Sequence, residues 1–126
     1  MLIETFQNLI ALFEGDVPGI PNEPAQEDLV PWRDRIDALD RAILLLLNER
    51  AICANAIGHI KKKLEMPVYV PSREQDVLRN VVNSNMGPLS GEAVRRLFER
   101  VIDETRSLER HMYQEEREHP RLDVDE

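Results

Sequence analysis

The sequence predicts an all-α fold with one very long first helix, three helices in the main domain, and a dimeric assembly. Aromatic residues make up 5% of the 126 residues and only five are Gly, which favours a helical core over a sheet. Between Trp32 and Leu64, apolar residues recur at alternating spacings of three and four. Such a helix spans roughly 50 Å, too long for a domain of ~100 residues with a radius of gyration near 13 Å. Its far end is therefore expected to pack on a second copy.

Residues 1–29 are predicted to form an acidic N-terminal extension. Residues 2–13 (LIETFQNLIALF) are amphipathic at helical spacing, and residues 15–28 contain the Pro and Gly of a linker. The amphipathic segment is a docking helix for a partner enzyme, a remnant of an upstream domain, or a cap on the dimer's own surface. Of these three interpretations we favour the cap on the dimer's own surface.

Residues 30–115 are predicted to form the main domain, and residues 116–126 a charged, frayed tail. The first helix is expected to begin at Asp28 or Pro31 and to end near Glu65, because Pro67 disfavours helical geometry in the residue before it. After an extended PVYVP connection, Ser72 and Gln75 predict a capping box for the second helix. Ser90 is the predicted N-cap of the third.

The distribution of charge favours a small anionic ligand. The net charge is −8, but residues 1–29 carry six acids and no Lys or Arg, whereas residues 30–108 carry eleven acids and thirteen bases. A basic centre between acidic ends argues against nucleic acid as a partner. The single Cys excludes an intrachain disulfide, and no uninterrupted apolar run approaches a membrane span. We expect a cytoplasmic protein that does not bind membranes.

Arg50 interrupts the apolar seam of the first helix, between Leu46 and Cys53. Burying a guanidinium costs several kcal/mol unless anionic groups pair with it. Burying a Leu at this position would instead stabilise the fold by roughly 1.5–3 kcal/mol. The structural interpretation is an Arg paired with a core carboxylate. The functional interpretation is a ligand-binding cation.

Further polar residues fall on apolar faces of the predicted helices. Lys61 is eleven residues after Arg50, almost three whole turns, so both face the same way. Thr105 and Glu109 lie within the stripe of the third helix, and Arg73 and Glu74 lie in the first turn of the second. Taken singly, a first-turn carboxylate or a Lys run near a helix end is more often structural. Together with Arg50 they predict one cationic cleft, which Arg33, at the far end of the helix, can reach only in a partner chain.

The residues argue against metal and covalent chemistry. The three His do not stand at metal-ligand spacing, and there is no EF-hand, phosphate loop or nucleophile elbow. We therefore predict neither a metal site nor covalent catalysis.

Residues 30–112 resemble the all-helical class of chorismate mutases, as in the mutase domains of bifunctional prephenate dehydratases and of some DAHP synthases. The resemblance rests on WRDRIDALDRAILLLLNERAICANAIGHIKKK, on PVYVPSREQDVL and on GPLSGEAVRRLFERVIDETRSLE. It implies an intertwined homodimer of three-helix chains with two active sites. It implies substrate contacts from Arg33 of the partner chain and from Arg50, Lys61, Glu74, Thr105 and Glu109, with Arg73 supporting the pocket.

The chain departs from the family pattern at Val70, where many members have an Asp that contacts the substrate hydroxyl. Glu109 stands where some members have Gln and others Glu. The resemblance implies the rearrangement of chorismate to prephenate without a cofactor, with Arg50 and Arg33 on the carboxylates and Lys61 and Glu109 at the ether oxygen. Two alternatives are an isochorismate–pyruvate lyase of the same fold and a non-catalytic module that regulates a partner shikimate-pathway enzyme.

Overall fold

The structure is a computed structural model that describes the backbone of residues 2–118 and the side chains of residues 3–111. The predicted all-α class is confirmed. The described residues form four α-helices rather than three: α1 (Leu2–Glu14), α2 (Leu29–Lys63), α3 (Pro71–Ser84) and α4 (Gly91–Glu118). The additional helix is the amphipathic N-terminal segment. The chain divides into two compact units between Glu49 and Arg50, inside α2.

In the first unit, α1 is attached to the beginning of α2 through Arg35. Its Nη1 donates to the carbonyl oxygen of Leu12 at 3.2 Å, and its guanidinium lies 5.0 Å from the ring centroid of Phe13. Arg35 thus satisfies a carbonyl in the last turn of α1, where no intrahelical donor remains. Nearby, Trp32 Nε1 donates to the carbonyl of Gly19 at 3.4 Å. The N-terminal extension is therefore anchored on its own chain.

Helix α2 ends two residues before the predicted Glu65. The amide of Met66 donates to the carbonyl oxygen of Lys61, and the amide of Glu65 donates to that of Lys62. These are the paired hydrogen bonds of a Schellman motif. Glu65 has a φ of 57°, the left-handed conformation that this motif requires. For a residue with a Cβ this conformation costs about 1–2 kcal/mol. The two backbone bonds that close the helix offset this cost.

In the second unit, the predicted N-cap of α3 is wrong. Helix α3 begins at Pro71, and its N-cap is Val70, which makes no side-chain capping bond. Proline is favoured at the first helical position because its fixed φ is helical and its missing amide proton has no partner there. Pro71 therefore starts the helix one residue before Ser72 could cap it. The amides of Arg73 and Glu74 both donate to the Val70 carbonyl.

Helix α4 packs against α3 across a core that includes Leu78, Val94 and Ile102. The predicted cap is confirmed, because Ser90 Oγ accepts from the amide of Ala93 at 3.1 Å. Helix α4 extends to Glu118, beyond residue 116 where the tail was expected to begin. The remainder of the predicted tail, 119–126, lies outside the described residues. The predicted domain boundaries stay predictions.

The apolar seam of α2 is largely uncovered. Six of its predicted members are about half exposed or more: Ile36, Ile43 and Leu46 in the first unit, and Ile57, Ile60 and Leu64 in the second. By length and composition alone, the segment Gln26–Lys63 could cross a membrane, which differs from the sequence expectation. Core helices of soluble proteins satisfy the same criteria, so length and composition do not decide what covers this face.

Candidate active site

A cleft of about 310 Å³ lies within the second unit. This volume is at the lower end of the range for small-molecule pockets, ~300–1,000 Å³. Four stretches of chain build it: the part of α2 after residue 49, the PVYVP connection, the beginning of α3 and the middle of α4. The predicted site residues that line it are Arg50, Lys61, Val70, Arg73, Glu74, Thr105 and Glu109.

Arg50 lies in the cleft without a carboxylate partner among the described residues. Its Nη1 donates to Oγ1 of Thr105 at 3.0 Å. Thr105 can accept because its own proton is directed to the carbonyls of Val101 and Ile102, at 3.0 and 3.1 Å. The structural interpretation of Arg50 required a paired core carboxylate. A neutral hydroxyl leaves the guanidinium charge and most of its five donors available to an anionic ligand.

Lys61 is fixed at the end of α2 by the backbone that follows. Its Nζ donates to the carbonyl of Val68 at 3.0 Å. An ammonium has three donors, so two remain for a ligand in the cleft. The Schellman motif turns the chain back so that Val68 can meet Lys61.

Glu109 lies over Gly58 of α2. A Cβ added at Gly58 would stand 3.5 Å from Cγ of Glu109, an ordinary van der Waals contact, so the Glu109 side chain packs directly on this turn of α2. Burial raises the pKa of Glu109, and the negative charge of Glu74 raises it further. Lys61, Arg50 and Arg106 oppose the increase without cancelling it. The environment thus favours the neutral acid, a hydrogen-bond donor, more than water would.

Arg106 was missed by the sequence analysis. It lines the cleft and donates from Nη2 to Oε1 of Glu74 at 3.0 Å. In the sequence it is one Arg among several on a charged helix, so its type and spacing carry no signal. Its partner in α3 is thirty-two residues away, and only the packing of α3 on α4 brings them together.

Arg33 is not among the residues that line the cleft. It lies on the exposed surface of α2 in the first unit. Its predicted contribution to a partner's site stays a prediction.

The lining residues suit an anionic small molecule. Four cations and two carboxyl groups give a formal excess of two positive charges with both carboxyls ionised. Cys53 lines the cleft but no His does, so this lining contains no Cys–His pair. Within the described part of the chain, His, Cys, Asp and Glu form no cluster of three that could hold a metal. Fold and site together define an all-helical protein with a cationic cleft.

Comparison with known proteins identifies the family. Residues 32–110 match the family model described as "Chorismate mutase type II", and the chain belongs to this family. It is 46% identical over 89 residues to a bifunctional chorismate mutase/prephenate dehydratase of Neisseria gonorrhoeae, covering 71% of this chain and 24% of the relative. A protein of the same description from Pseudomonas aeruginosa is 40% identical over 89 residues, covering 67% of this chain and 24% of that relative. The chain thus spans about a quarter of the length of these relatives.

A solved structure supports the same assignment. A chorismate mutase (form II) of Thermus thermophilus superposes with a TM-score of 0.64 at 33% identity, covering 65% of this chain and 93% of that one. The resemblance stated from the sequence motifs is therefore confirmed at the level of family and fold.

Proposed function

We propose that this chain is a chorismate mutase that rearranges chorismate to prephenate in the biosynthesis of phenylalanine and tyrosine. One observation carries the proposal. Arg50, Lys61 and Glu109 lie around a single cleft, and Arg50 is held by a neutral hydroxyl rather than by a carboxylate. A cation left unpaired in this way is costly without a ligand, and a dicarboxylate substrate supplies the missing anions.

The residues of the cleft take distinct roles in this proposal. Arg50, assisted by Thr105, binds one substrate carboxylate, and Arg33 of a partner chain binds the other. Lys61 and protonated Glu109 donate to the ether oxygen. Glu74 accepts a hydrogen bond from the ring hydroxyl, with Arg73 supporting the pocket. Val70 has no polar side chain, so any contact from that position comes from its backbone.

The reaction needs orientation and charge stabilisation rather than proton transfer. The bond from ring carbon to ether oxygen breaks while a carbon–carbon bond forms between the enolpyruvyl arm and the ring, and no atom leaves. The site must hold the arm over the ring in a chair-like geometry and stabilise negative charge on the ether oxygen. A millionfold acceleration corresponds to about 8 kcal/mol, which orientation and two donors together can supply.

We also propose that the working unit is a homodimer. The exposed apolar residues of α2, such as Ile60 at 57% and Leu64 at 63%, continue the seam pattern that predicts helix-to-helix packing. Fully burying an exposed Ile or Leu gains roughly 1.5–3 kcal/mol, so covering one of these half-exposed residues gains about half of that. A second copy also explains how Arg33, exposed in its own chain, would serve a site. A bilayer is the poorer cover, because Glu49 and Arg50 stand in the middle of the apolar segment and charges are expensive there. We accordingly place the protein in the cytoplasm.

The direct test is to follow chorismate consumption and prephenate formation by the purified protein, with its mass in solution measured by light scattering. We expect turnover without added metal or cofactor, by a dimer. Release of pyruvate from isochorismate with no turnover of chorismate would instead assign the lyase activity. Binding of neither substrate would favour the non-catalytic regulatory module.

A further inference from the structure

Arg106 and Glu74 form an ion pair that is largely shielded from solvent. Its Nη2 donates to Oε1 of Glu74 at 3.0 Å and to Oδ1 of Asp103 at 2.8 Å. The side chains of Arg106 and Glu74 are each only 22% exposed. In contrast, Arg100 and Glu104 on the same helix form a 2.7 Å pair at 78% and 62% exposure. Exposed pairs of that kind contribute little, so the Arg106–Glu74 pair is the one expected to fix a geometry.

A third group holds the guanidinium from another segment. The Cζ of Arg106 lies 4.8 Å from the ring centroid of Tyr69, in the PVYVP connection. A planar guanidinium can stack on a ring and donate in its own plane simultaneously, which an ammonium cannot. Arg106 therefore joins the connection, the first turn of α3 and the middle of α4 at one point, the carboxylate of Glu74.

Stability alone does not account for this arrangement. The Nε of Arg106 is buried and has no hydrogen-bond partner within the described part of the chain. A buried donor left without a partner is destabilising. The unpartnered Nε lowers stability, but the same orientation of the guanidinium directs Nη2 at Oε1 of Glu74. The other oxygen, Oε2, accepts no hydrogen bond from any described residue and remains for a ligand.

We propose that Arg106 is a positioning residue, which holds the Glu74 carboxylate in the orientation that accepts the ring hydroxyl of the substrate. Tyr69 and Asp103 hold Arg106 in turn. This inference rests on the proposed mutase function and adds to it a residue that the resemblance does not supply.

Arg106 also acts on Glu109, which lies three residues further along α4. The charged groups that face Glu109 are Lys61 and Arg50 from α2, Glu74 from α3 and Arg106 from α4. Arg106 is one of the three cations that lower the pKa of Glu109 against the effect of burial. Its removal leaves Glu74 unneutralised as well, and both changes raise the pKa of Glu109. The acid form would then persist to higher pH.

The test compares Arg106→Met with Arg100→Met, a matched loss of an Arg and an ion pair on the same helix. For Arg106→Met we expect kcat/KM on chorismate to fall by up to about 100-fold, the cost of misplacing a binding group by about 1 Å, with the alkaline limb of the pH profile displaced upward. Arg100→Met is expected to leave both unchanged. Arg106→Lys keeps the positive charge near Glu109, so we expect its alkaline pH limb to stay near the wild-type position. Its kcat/KM should still fall, because an ammonium cannot stack on Tyr69 and donate in one plane as the guanidinium does.

A double-mutant cycle identifies the route of the effect. If Arg106 works through Glu74, Arg106→Met should cost little further activity in a Glu74→Gln background. Full additivity would overturn the proposal, as would an Arg106→Met protein that matches Arg100→Met, or an Arg106→Lys protein with wild-type kcat/KM. Absence of turnover by the wild type would refute the proposed function instead. In that case ¹³C NMR titration of Glu109 tests Arg106, and an unmoved titration in Arg106→Met would refute its action on the cleft.

Discussion

The two parts of α2, residues 29–49 and residues 50–63, differ in what their own chain supplies. The later part meets its functional partners within the second unit, where Arg50 binds Thr105 and Lys61 binds the Val68 carbonyl. In the earlier part, Arg33 and Ile36 are exposed, and α1 is held through Arg35. One helix therefore carries a cation that lines the cleft, Arg50, and an exposed cation that does not line it, Arg33. Under our proposal, the earlier part serves the partner's site.

The largest expected effect concerns the cation in the later part. Arg50→Leu should lower kcat/KM on chorismate by about 100- to 1,000-fold, because a substrate carboxylate loses its charged partner, which typically costs about 2–5 kcal/mol. The melting temperature should stay equal or increase, because Leu restores the apolar seam and leaves no carboxylate unpaired. Activity assays and thermal unfolding measure the two quantities.

Arg41→Leu, a change at an exposed arginine of the earlier part, is the control and should retain activity. A large drop in melting temperature of Arg50→Leu alongside lost activity would support the structural interpretation of Arg50.

The second prediction tests whether the earlier part serves a partner. Arg33→Ala and Lys61→Ala should each be inactive as homodimers. In a co-expressed heterodimer purified through two different tags, one site combines an intact Lys61 with an intact Arg33, and the other site carries both lesions. We therefore expect about half of the wild-type activity per dimer, since twofold symmetry gives two equivalent sites.

Pairing Lys61→Ala with Arg50→Ala provides the control. Both residues belong to the cleft of one chain, so each site of that heterodimer keeps one lesion and should stay inactive. Inactive Arg33→Ala/Lys61→Ala heterodimers of verified composition would contradict the shared site.

The cleft was predictable where helical periodicity alone determines which way a residue faces. Arg50 and Lys61 stand on one face of a long helix, and Thr105 and Glu109 lie within an apolar stripe, so sequence spacing placed them together. Arg106 was not predictable, because its surroundings depend on how α3 packs on α4. The start of α3 was also predicted wrongly. Two local signals conflict there, and the helix begins at Pro71 rather than after an N-cap at Ser72.

The smallest expected effect is a change of pH dependence at Glu109. A carboxyl group donates to the ether oxygen only when protonated, and as a carboxylate it repels the developing charge. Burial, opposed by Lys61, Arg50 and Arg106, raises the pKa of Glu109. Below that pKa the group is the neutral donor, and above it the donor is lost, so turnover should fall as pH rises through it.

Glu109→Gln keeps a neutral donor at every pH and should flatten this limb, whereas Glu104→Gln, an exposed change on the same helix, should not. A flat wild-type profile from mildly acidic to mildly alkaline pH, or the same fall in Glu109→Gln, would exclude Glu109 as the donor.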